Sequence, residues 1–546
     1  MREIERDLLR LLAEMPFADR LELAAFSDWS ERAVYQRLGE LKRRGLVESL
    51  SHASELIRPT RRFLLTPSGI GQLAHNLGQS REAVLRDFPV SERWRQTLLR
   101  RLDSVAVIYR LGSALAQLEG PPRLRWYRSQ PPDAAFALPD WRSLAVLRWG
   151  RTADRTAVSI RMRRLRDGAH YSGALLLVPD EVRFRHARRL IRDMPFICFI
   201  ALERDAASGS AEARIWRVPS GAAVLSLTEV VNVARAGGQR AIERAPERNV
   251  APRPLAAETR TREPDWMLPA RLKPAGKRTL DLVGDWPWIN AAHLGSLLSV
   301  ARRRVSQLAA DLERLDLLIA YRIEGKRRFV LSDRGLALLA HRDRASVGAA
   351  RKRWSASPLD PDAPVGWRNL RGGRTRQLLR NLTHTESVHG FLAALSEQAR
   401  SEGRRVIQLD PPHRASRYFR FDDRLHSIQP DAFGVLRRGG RQQPFFLEWE
   451  RRAIRPSTMA AKLAPYMRYY SSKRPLEDHG AIPLVLVAFE DELAADHFLR
   501  VAAAEQQQKH ISVPLFVSDS AELGWLGPLG QVWRSVDSAR PGTAFD

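Results

Sequence analysis

Hydrophobic residues recur along this chain with two periods, and the switches between them mark out its elements. In SDWSERAVYQRLGELKRRGLVE, Val34, Leu38 and Leu41 fall at i, i+4 and i+7, one face of a helix. Ser30 supplies an N-cap, Gly45 ends the helix, and Leu46 and Val47 open a strand. A polar segment leads to a second strand, RRFLLT. The charged, amphipathic N-terminal stretch MREIERDLLRLLAEM supplies helix before it. The predicted order is helix, helix, helix and a two-stranded hairpin, that of a winged helix-turn-helix. The polar face of its last helix carries Arg32, Tyr35, Gln36 and Arg37.

The same pattern is written a second time. RRFLLTPSG, ending at Gly69, aligns without a gap with RRFVLSDRG, ending at Gly335. Further on, PDAAFALPDWRSLAVLRWGR parallels PDAFGVLRRGGRQQPFFLEWER, GALLLVPDE parallels GAIPLVLVAFEDE, and IWRV parallels VWRSV. Four landmarks in one order predict a duplicated chain. The second recognition helix is expected to start near Ser299. Its Val305 and Leu312 are apolar, and Arg302, Arg303, Arg304, Ser306 and Gln307 are exposed. Its hairpin turns near Glu324 and Gly325, with Lys326, Arg327 and Arg328 at or beside the tip. The predicted modules are 1–80 and 278–345 for the winged helices and 90–240 and 370–540 for two α/β domains. The Pro- and Arg-rich stretch 245–277 is expected to be an extended linker.

Charge adds a partner to this picture. Lys and Arg number 89 against 62 Asp and Glu, a formal charge of +27, which attracts polyanions. A recognition helix enters the major groove while a basic hairpin touches phosphate, so double-stranded DNA is the expected partner. The alternative is a protein-interaction winged helix whose charged faces are only solvated. No apolar run approaches the roughly 20 residues of a membrane span. The single cysteine, Cys198, stands in an apolar run and reads as a core thiol, compatible with a reducing cytoplasm. There is no phosphate-binding GxxxxGK[ST] loop, no HExxH and no cysteine framework for zinc.

Candidate chemistry gathers in SIQPDAFGVLRRGGRQQPFFLEWERR. A two-residue turn at Gly439-Gly440 would put Asp431 opposite Glu448, and strand alternation puts Glu448 and Glu450 on one face. Three converging carboxylates repel one another unless a cation lies among them, and oxygen donors suit Mg²⁺ or Mn²⁺. Pro444 weakens that register. Upstream, RTRQLLRNLTHTESVHGFLAALSEQA reads as a helix, with Glu386 and His389 one turn apart and His384 just before them. Plainer readings stay open: Glu448 and Glu450 as edge-strand charges, Asp431 as a strand end, the histidines as ordinary helix positions. Arg437, Arg438, Arg441, Arg451, Arg452 and Arg455 flank the motif and are expected to form a basic rim. Tyr466, Tyr469 and Tyr470 read as core or surface aromatics rather than a nucleophile.

A helix, an acidic hairpin and a lysine-bearing helix in this order resemble the PD-(D/E)xK nuclease superfamily. Pro430-Asp431 matches its first half-motif and Glu448-Trp449-Glu450 its second, with glutamate at the lysine position. The resemblance implies metal ligands at Asp431, Glu448 and Glu386, and catalytic roles for Asp431, Glu448, Glu450 and His384. Lys462 would supply the displaced ammonium. Together with the winged helix, the motifs HTESVH, QPDAFGVL, FFLEWERR and KLAPYMRYY resemble the replication-relaxation family, linked to plasmids and conjugative elements. In the first copy Asp133 matches Asp431, while Arg148 and Gly150 stand at Glu448 and Glu450. Ser104, Ala106 and Tyr109 stand at His384, Glu386 and His389, so that copy is expected to bind no metal. The expected fold class is α/β, a tandem duplication of a winged helix plus a restriction-endonuclease-like domain. The expected function is a metal-dependent DNA nicking or relaxing endonuclease of plasmid or conjugative-element mobilisation or replication. The alternatives are a non-catalytic DNA-binding replication initiator or regulator that keeps the fold, and a protein-interaction scaffold.

Overall fold

A computed structural model describes residues 1–120, 122–128, 131–138, 140, 142–153, 155–168, 171–219, 223–236, 264–450 and 456–545. The chain forms two compact units, Met1–Lys277 with Ala337–Val347 and Arg278–Leu336 with Gly348–Asp546, and both mix helices with sheets. Among the described residues no helix is long and apolar enough to cross a membrane. Cys198 is buried on the strand Ile197–Leu202, and burial pushes its thiol up to about 12, which keeps it inert.

Each unit begins with helices and a hairpin. In the first, helices Glu3–Glu14, Arg20–Ala25 and Glu31–Arg43 precede strands Val47–His52 and Thr60–Leu65. The Ser30 hydroxyl accepts the Ala33 N–H at 3.3 Å and caps the third helix. Val34, Leu38 and Leu41 turn inward, leaving Arg32, Tyr35 and Gln36 exposed. In the second, helices Ala291–Leu298 and Arg302–Arg314 precede strands Leu318–Ile323 and Lys326–Leu331. That last helix starts at Arg302 rather than near Ser299. Ser299 takes the left-handed conformation (φ 59°) that ends the helix before it, and the chain needs two more residues to turn. Glu324 and Gly325 form the expected tight turn, both with positive φ. The repeat-ending Gly69 and Gly335 do one job twice: each lies against a backbone carbonyl, of Leu46 and Leu317, where no Cβ fits.

The expected extended linker is corrected in part. Residues 245–263 lie outside the described residues, but 264–277 are largely helical. Leu268, Ala270 and Leu272 are buried, and the Lys277 ammonium bonds Asp103 at 2.6 Å and the Ala53 carbonyl at 2.9 Å. Apolar residues among the prolines give this stretch a core to join.

Each unit then carries a seven-stranded sheet. The first holds Arg123–Trp126, Ala134–Ala137, Ser143–Arg148, Gly173–Val178, Ile197–Leu202, Trp216–Arg217 and Val224–Leu225, adjacent in chain order. The second holds Arg405–Asp410, Ala432–Arg438, Arg441–Glu450, Leu484–Phe489, Leu515–Asp519, Trp533–Ser535 and Ser538–Gly542, also in chain order. Both pair antiparallel, antiparallel, parallel, parallel, antiparallel, antiparallel. A long helix precedes each sheet, Leu102–Glu119 and Leu382–Ser401, and a helix follows each third strand, Arg155–Gly168 and Pro456–Ser471. The second sheet alone has a hairpin, Arg417–Phe421 with Arg424–Ile428, between its first two strands.

Strand register moves the correspondence between the two sheets by one residue from the one expected. Asp133 accepts the Arg148 N–H at 2.8 Å, as Asp431 accepts the Trp449 N–H at 2.9 Å. Arg148 is therefore the counterpart of Trp449, not of Glu448, and Leu147 and Trp149 are the counterparts of Glu448 and Glu450. Matching tryptophan to tryptophan misleads because the two hairpins differ in length. Arg148 turns instead to Glu203 and Asp343 within its unit.

The first unit's hairpin is locked by a charge pair with no solvent access. Arg62 donates to Glu22 at 2.9 and 3.3 Å and to the Phe17 carbonyl at 2.8 Å. Arg62→Ala leaves the buried Glu22 carboxylate with only the more distant Arg110, at 3.7 Å, and is expected to destabilise the unit by about 3–5 kcal/mol in a denaturant titration.

Candidate functional site

The site is built on the hairpin of the second sheet. Gly439-Gly440 turns between the paired Arg438 and Arg441, and the register runs unbroken to Ala432 opposite Leu447. Pro444 takes its place opposite Val435. It lies one residue before pairing with the parallel strand begins, at Phe445, so a missing N–H costs nothing on that side. Asp431, Glu448, Glu450, His384, Lys462 and Tyr466 all line one cavity of about 770 Å³.

Each carboxylate has its own partner. Asp431 Oδ2 accepts the Trp449 N–H and lies 3.2 Å from His384 Nε2, which is also 3.1 Å from the Trp449 carbonyl. Glu450 is paired with Lys462. Glu448 accepts the Tyr466 hydroxyl at 2.5 Å. Burial and the neighbouring Asp431 charge push the Glu448 carboxyl up to about 8, opposed by Tyr466 and Lys462. The His384 imidazole is raised: burial opposes its charge, but the hydrogen bond and charge of Asp431 outweigh it.

Glu386 does not join this group. It turns to the basic hairpin of its unit, accepting from Lys326 at 2.5 Å and Arg328 at 2.6 Å. Despite burial, those bonds hold it down at about 2. Two residues on from His384, about half a helical turn, the Glu386 side chain lies on another face of the helix. His389 is buried edge-on against Trp286, and burial lowers it to about 3. Tyr466, read from sequence as a core aromatic, belongs to the site. The signal for it was its spacing, one helical turn after Lys462.

Among the described residues no group of three or more His, Cys, Asp or Glu side chains is arranged to hold a metal ion. Glu386 and Glu450 are taken up by cations of the chain, which leaves Asp431 and Glu448. Asp431 Oδ2 and the Trp449 carbonyl already converge on His384 Nε2, and burial, with the Asp431 charge second to it, disfavours the ionised form of Glu448. Two carboxylates and a carbonyl fit Mg²⁺, which keeps several of its waters.

The first unit supplies the comparison. Val158, Met162 and Leu165 are spaced as Met459, Leu463 and Tyr466 are, which sets Arg161 at Lys462. There Leu147, Trp149, Val158, Met162 and Leu165 close into one apolar core. Asp133 survives, held well below the usual carboxylate range by Arg161 and Arg344 against its burial.

The expected DNA-contacting residues divide. Arg302, Arg303, Arg304 and Gln307 are exposed on one helix face, as are Arg32, Tyr35 and Gln36 on the other unit's. Arg37 is half-buried and paired with Glu40. Lys326 is paired with Glu386, and Arg327 with Glu313. Arg328 is 1 % exposed and spent on Glu386, so it is a structural residue rather than a phosphate contact. The expected basic rim is also corrected. Arg437, Arg438 and Arg441 line no part of the cavity, because Arg441 is seven residues from Glu448, roughly 23 Å along a strand. Arg451, Arg452 and Arg455 lie outside the described residues.

The raised Glu448 carboxyl ties stability to pH. Its proton is held more tightly folded than unfolded, so its contribution is full below about 4.5 and is lost as pH rises to about 8. Glu448→Gln is expected to flatten that decline, with a higher Tm than wild type at pH 8 and little difference at pH 4.5. Equal pH profiles for the two would place the Glu448 proton elsewhere.

No curated protein and no solved structure matches this chain. One family model does, over residues 285–485, a span that contains His384, Asp431, Glu448, Glu450, Lys462 and Tyr466. In the stretch that carries the polar cavity, this chain is similar to the replication-relaxation family.

Proposed function

We propose that this protein binds double-stranded DNA through two winged-helix modules and nicks a DNA phosphodiester bond at the cavity of its second unit, in replication or mobilisation of a plasmid or conjugative element. One observation carries the catalytic part. Where the first sheet buries Leu147 and Leu165, the second keeps Glu448 and Tyr466 around an open cavity beside Asp431, His384 and Lys462. A polar cavity costs stability that an apolar core does not, and ligand binding is what repays it. The matching strand order of the sheets supports a tandem duplication of a nuclease-like domain, with the first copy a scaffold.

Asp431 and Glu448, with the Trp449 carbonyl, would hold Mg²⁺ or Mn²⁺, which when bound supplies a water activated for attack and offsets charge on the phosphate. Lys462, drawn to the site by Glu450, places its ammonium where negative charge develops on phosphorus oxygens. His384, whose Nε2 meets Asp431 Oδ2 and the Trp449 carbonyl, would be displaced from them by the ion and would then be placed to pass a proton to the departing oxygen. Tyr466 holds Glu448 in place. The non-catalytic regulator reading has its own support: three of the four acids already have cationic partners within the chain.

Supercoiled plasmid with Mg²⁺ or Mn²⁺ separates the two readings. Wild type is expected to convert it to open circles, and Glu448→Ala to leave it supercoiled; no conversion by wild type favours the regulator. In calorimetry near pH 7, Mg²⁺ binding is expected to release protons, because Glu448 must ionise, with heats that change with the buffer's ionisation enthalpy. For the recognition helices, Arg302, Arg303 and Arg304 to alanine is expected to flatten the slope of log K against log salt by about 2.7. An unchanged slope would remove that helix from the DNA interface.

A further inference from the structure

Beside the carboxylate cavity lies a second one of about 260 Å³. The two share Gln377, Asn381, His384, Gln429 and Asp431, so they form one continuous groove. Its walls differ in kind from those of its neighbour. Trp286, Trp354, His413 and His389 supply aromatic rings, Pro411 and Pro412 supply flat apolar surface, and Gln377 and Asn381 supply amides. The Trp354 and His413 rings are 5.0 Å apart. Trp286 is 2 % exposed, yet its indole N–H has no protein acceptor, a donor left over beside an aromatic slot.

One helix that borders this slot is cationic. Arg374 lines the slot, and its guanidinium donates to Gln377 at 2.9 Å. Arg376 and Arg380 are exposed on the same helix, Gly373–Arg380. Trp367, 38 % exposed, lies between Arg368 and Arg380, whose guanidinium carbons are 4.8 and 5.2 Å from its ring centre. Among the described residues none of Arg368, Arg374, Arg376 and Arg380 is ion-paired, whereas Arg328 and Arg414 of the same unit are. The nearest preceding acids in sequence, Asp360 and Asp362, lie on a loop where Asn369 Oδ1 accepts the Asp360 N–H and the Asp360 carboxylate accepts the Asp362 N–H. In the first unit the corresponding helix, Glu92–Arg100, buries Trp94 where the second presents Arg374.

Unpaired arginines, an exposed aromatic and a ring-lined slot with spare hydrogen-bonding groups suit one ligand class. Stacking on aromatic side chains and a cationic path for the backbone are how unpaired nucleotides are held. Duplex DNA keeps its bases stacked inside and would have to unpair and flip one out to fill such a slot, a cost that a single strand does not bear. We propose that the smaller cavity is a nucleobase pocket and that the carboxylate site therefore takes single-stranded DNA, an unpaired base being seated between Trp354 and Trp286 while its phosphate reaches Asp431. This rests on the reading of the second unit as a DNA-processing site. It gives the two parts of the protein different substrates: duplex for the helix-and-hairpin modules, unpaired strand for the groove.

The test uses the full chain and fluorescence anisotropy with three labelled probes: a single-stranded oligonucleotide, the same strand carrying abasic sites, and the duplex. Trp354→Ala is expected to weaken single-strand binding about ten- to a hundredfold and duplex binding less than twofold, with Trp354→Phe restoring most of the loss. Gln377→Ala, a smaller change, is expected to weaken the single strand in the same direction. The abasic strand is expected to bind wild type as weakly as the intact strand binds Trp354→Ala. Equal losses on single strand and duplex, or an abasic strand bound as tightly as the intact one, would overturn the base pocket. Should wild type bind none of the three, the DNA reading itself fails, a result distinct from a base pocket that fails while duplex binding survives.

Discussion

The bond on which the site depends is the one from the Trp449 N–H to the Asp431 carboxylate. It fastens the entry of one strand to the exit of the next. The Asp431 N–H is at the same time bound to the Leu447 carbonyl, so the strand ends cannot slide past each other. A slip of one residue would turn Glu448 and Glu450 from the cavity face to the opposite one, because side chains alternate along a strand. Asp133 makes the same pair of bonds in the first sheet. The aspartate thus has a structural duty that precedes any chemistry. It explains why the acid survives in a copy whose other site positions are apolar, and why an aspartate here is weak evidence of catalysis when read alone.

What the sequence made legible was whatever depends on local pattern. The Ser30 cap, the inward Val34, Leu38 and Leu41, the Glu324-Gly325 turn and the Gly439-Gly440 hairpin all rest on neighbours within a few residues. Their physics is contained in the segments themselves. The order of landmarks along both halves returned as two sheets with one order of pairing. What stayed hidden depends on partners distant in the chain. Glu386 reads as a candidate ligand until Arg328 and Lys326 are seen beside it, 58 and 60 residues away. The basic rim failed for a related reason: residues close in sequence to an acid on a strand are carried steadily away from it. Tyr466 was passed over because a tyrosine on an amphipathic helix is ordinary, and only the acid facing it makes it otherwise.

The two sheets, alike in strand order, show what the polar cavity costs without any mutation being made. One backbone plan holds Leu147, Trp149 and Leu165 in the first unit and Glu448, Glu450 and Tyr466 in the second. The apolar set packs; the polar set leaves space, forces a carboxyl up to about 8, and needs Lys462 to neutralise its other glutamate. Apolar residues at such positions are commonly neutral or stabilising relative to buried charges. The polar arrangement is therefore not what the fold requires, since the first sheet has the same strand order with apolar residues at these positions.

The hairpin arginines carry the comparison one step further. Arg62 and Arg328 occupy the same register position, opposite Asp19 and Asn290, and both are buried. The Phe17 and Trp288 residues beside them share the same left-handed conformation, at φ 68° and 69°. In the first unit the arginine's acid is Glu22, on a helix of its own module. In the second unit the position of Glu22 holds His293, and the acid is Glu386, on the long helix that bears His384. The burial of an arginine demands a carboxylate, but not a particular one. Moving the acid from the hairpin's module to the helix of the cavity leaves the charge balance unchanged and alters what is joined to what. In the first unit the pair closes a module on itself; in the second it fastens the basic hairpin to the helix from which the site is built.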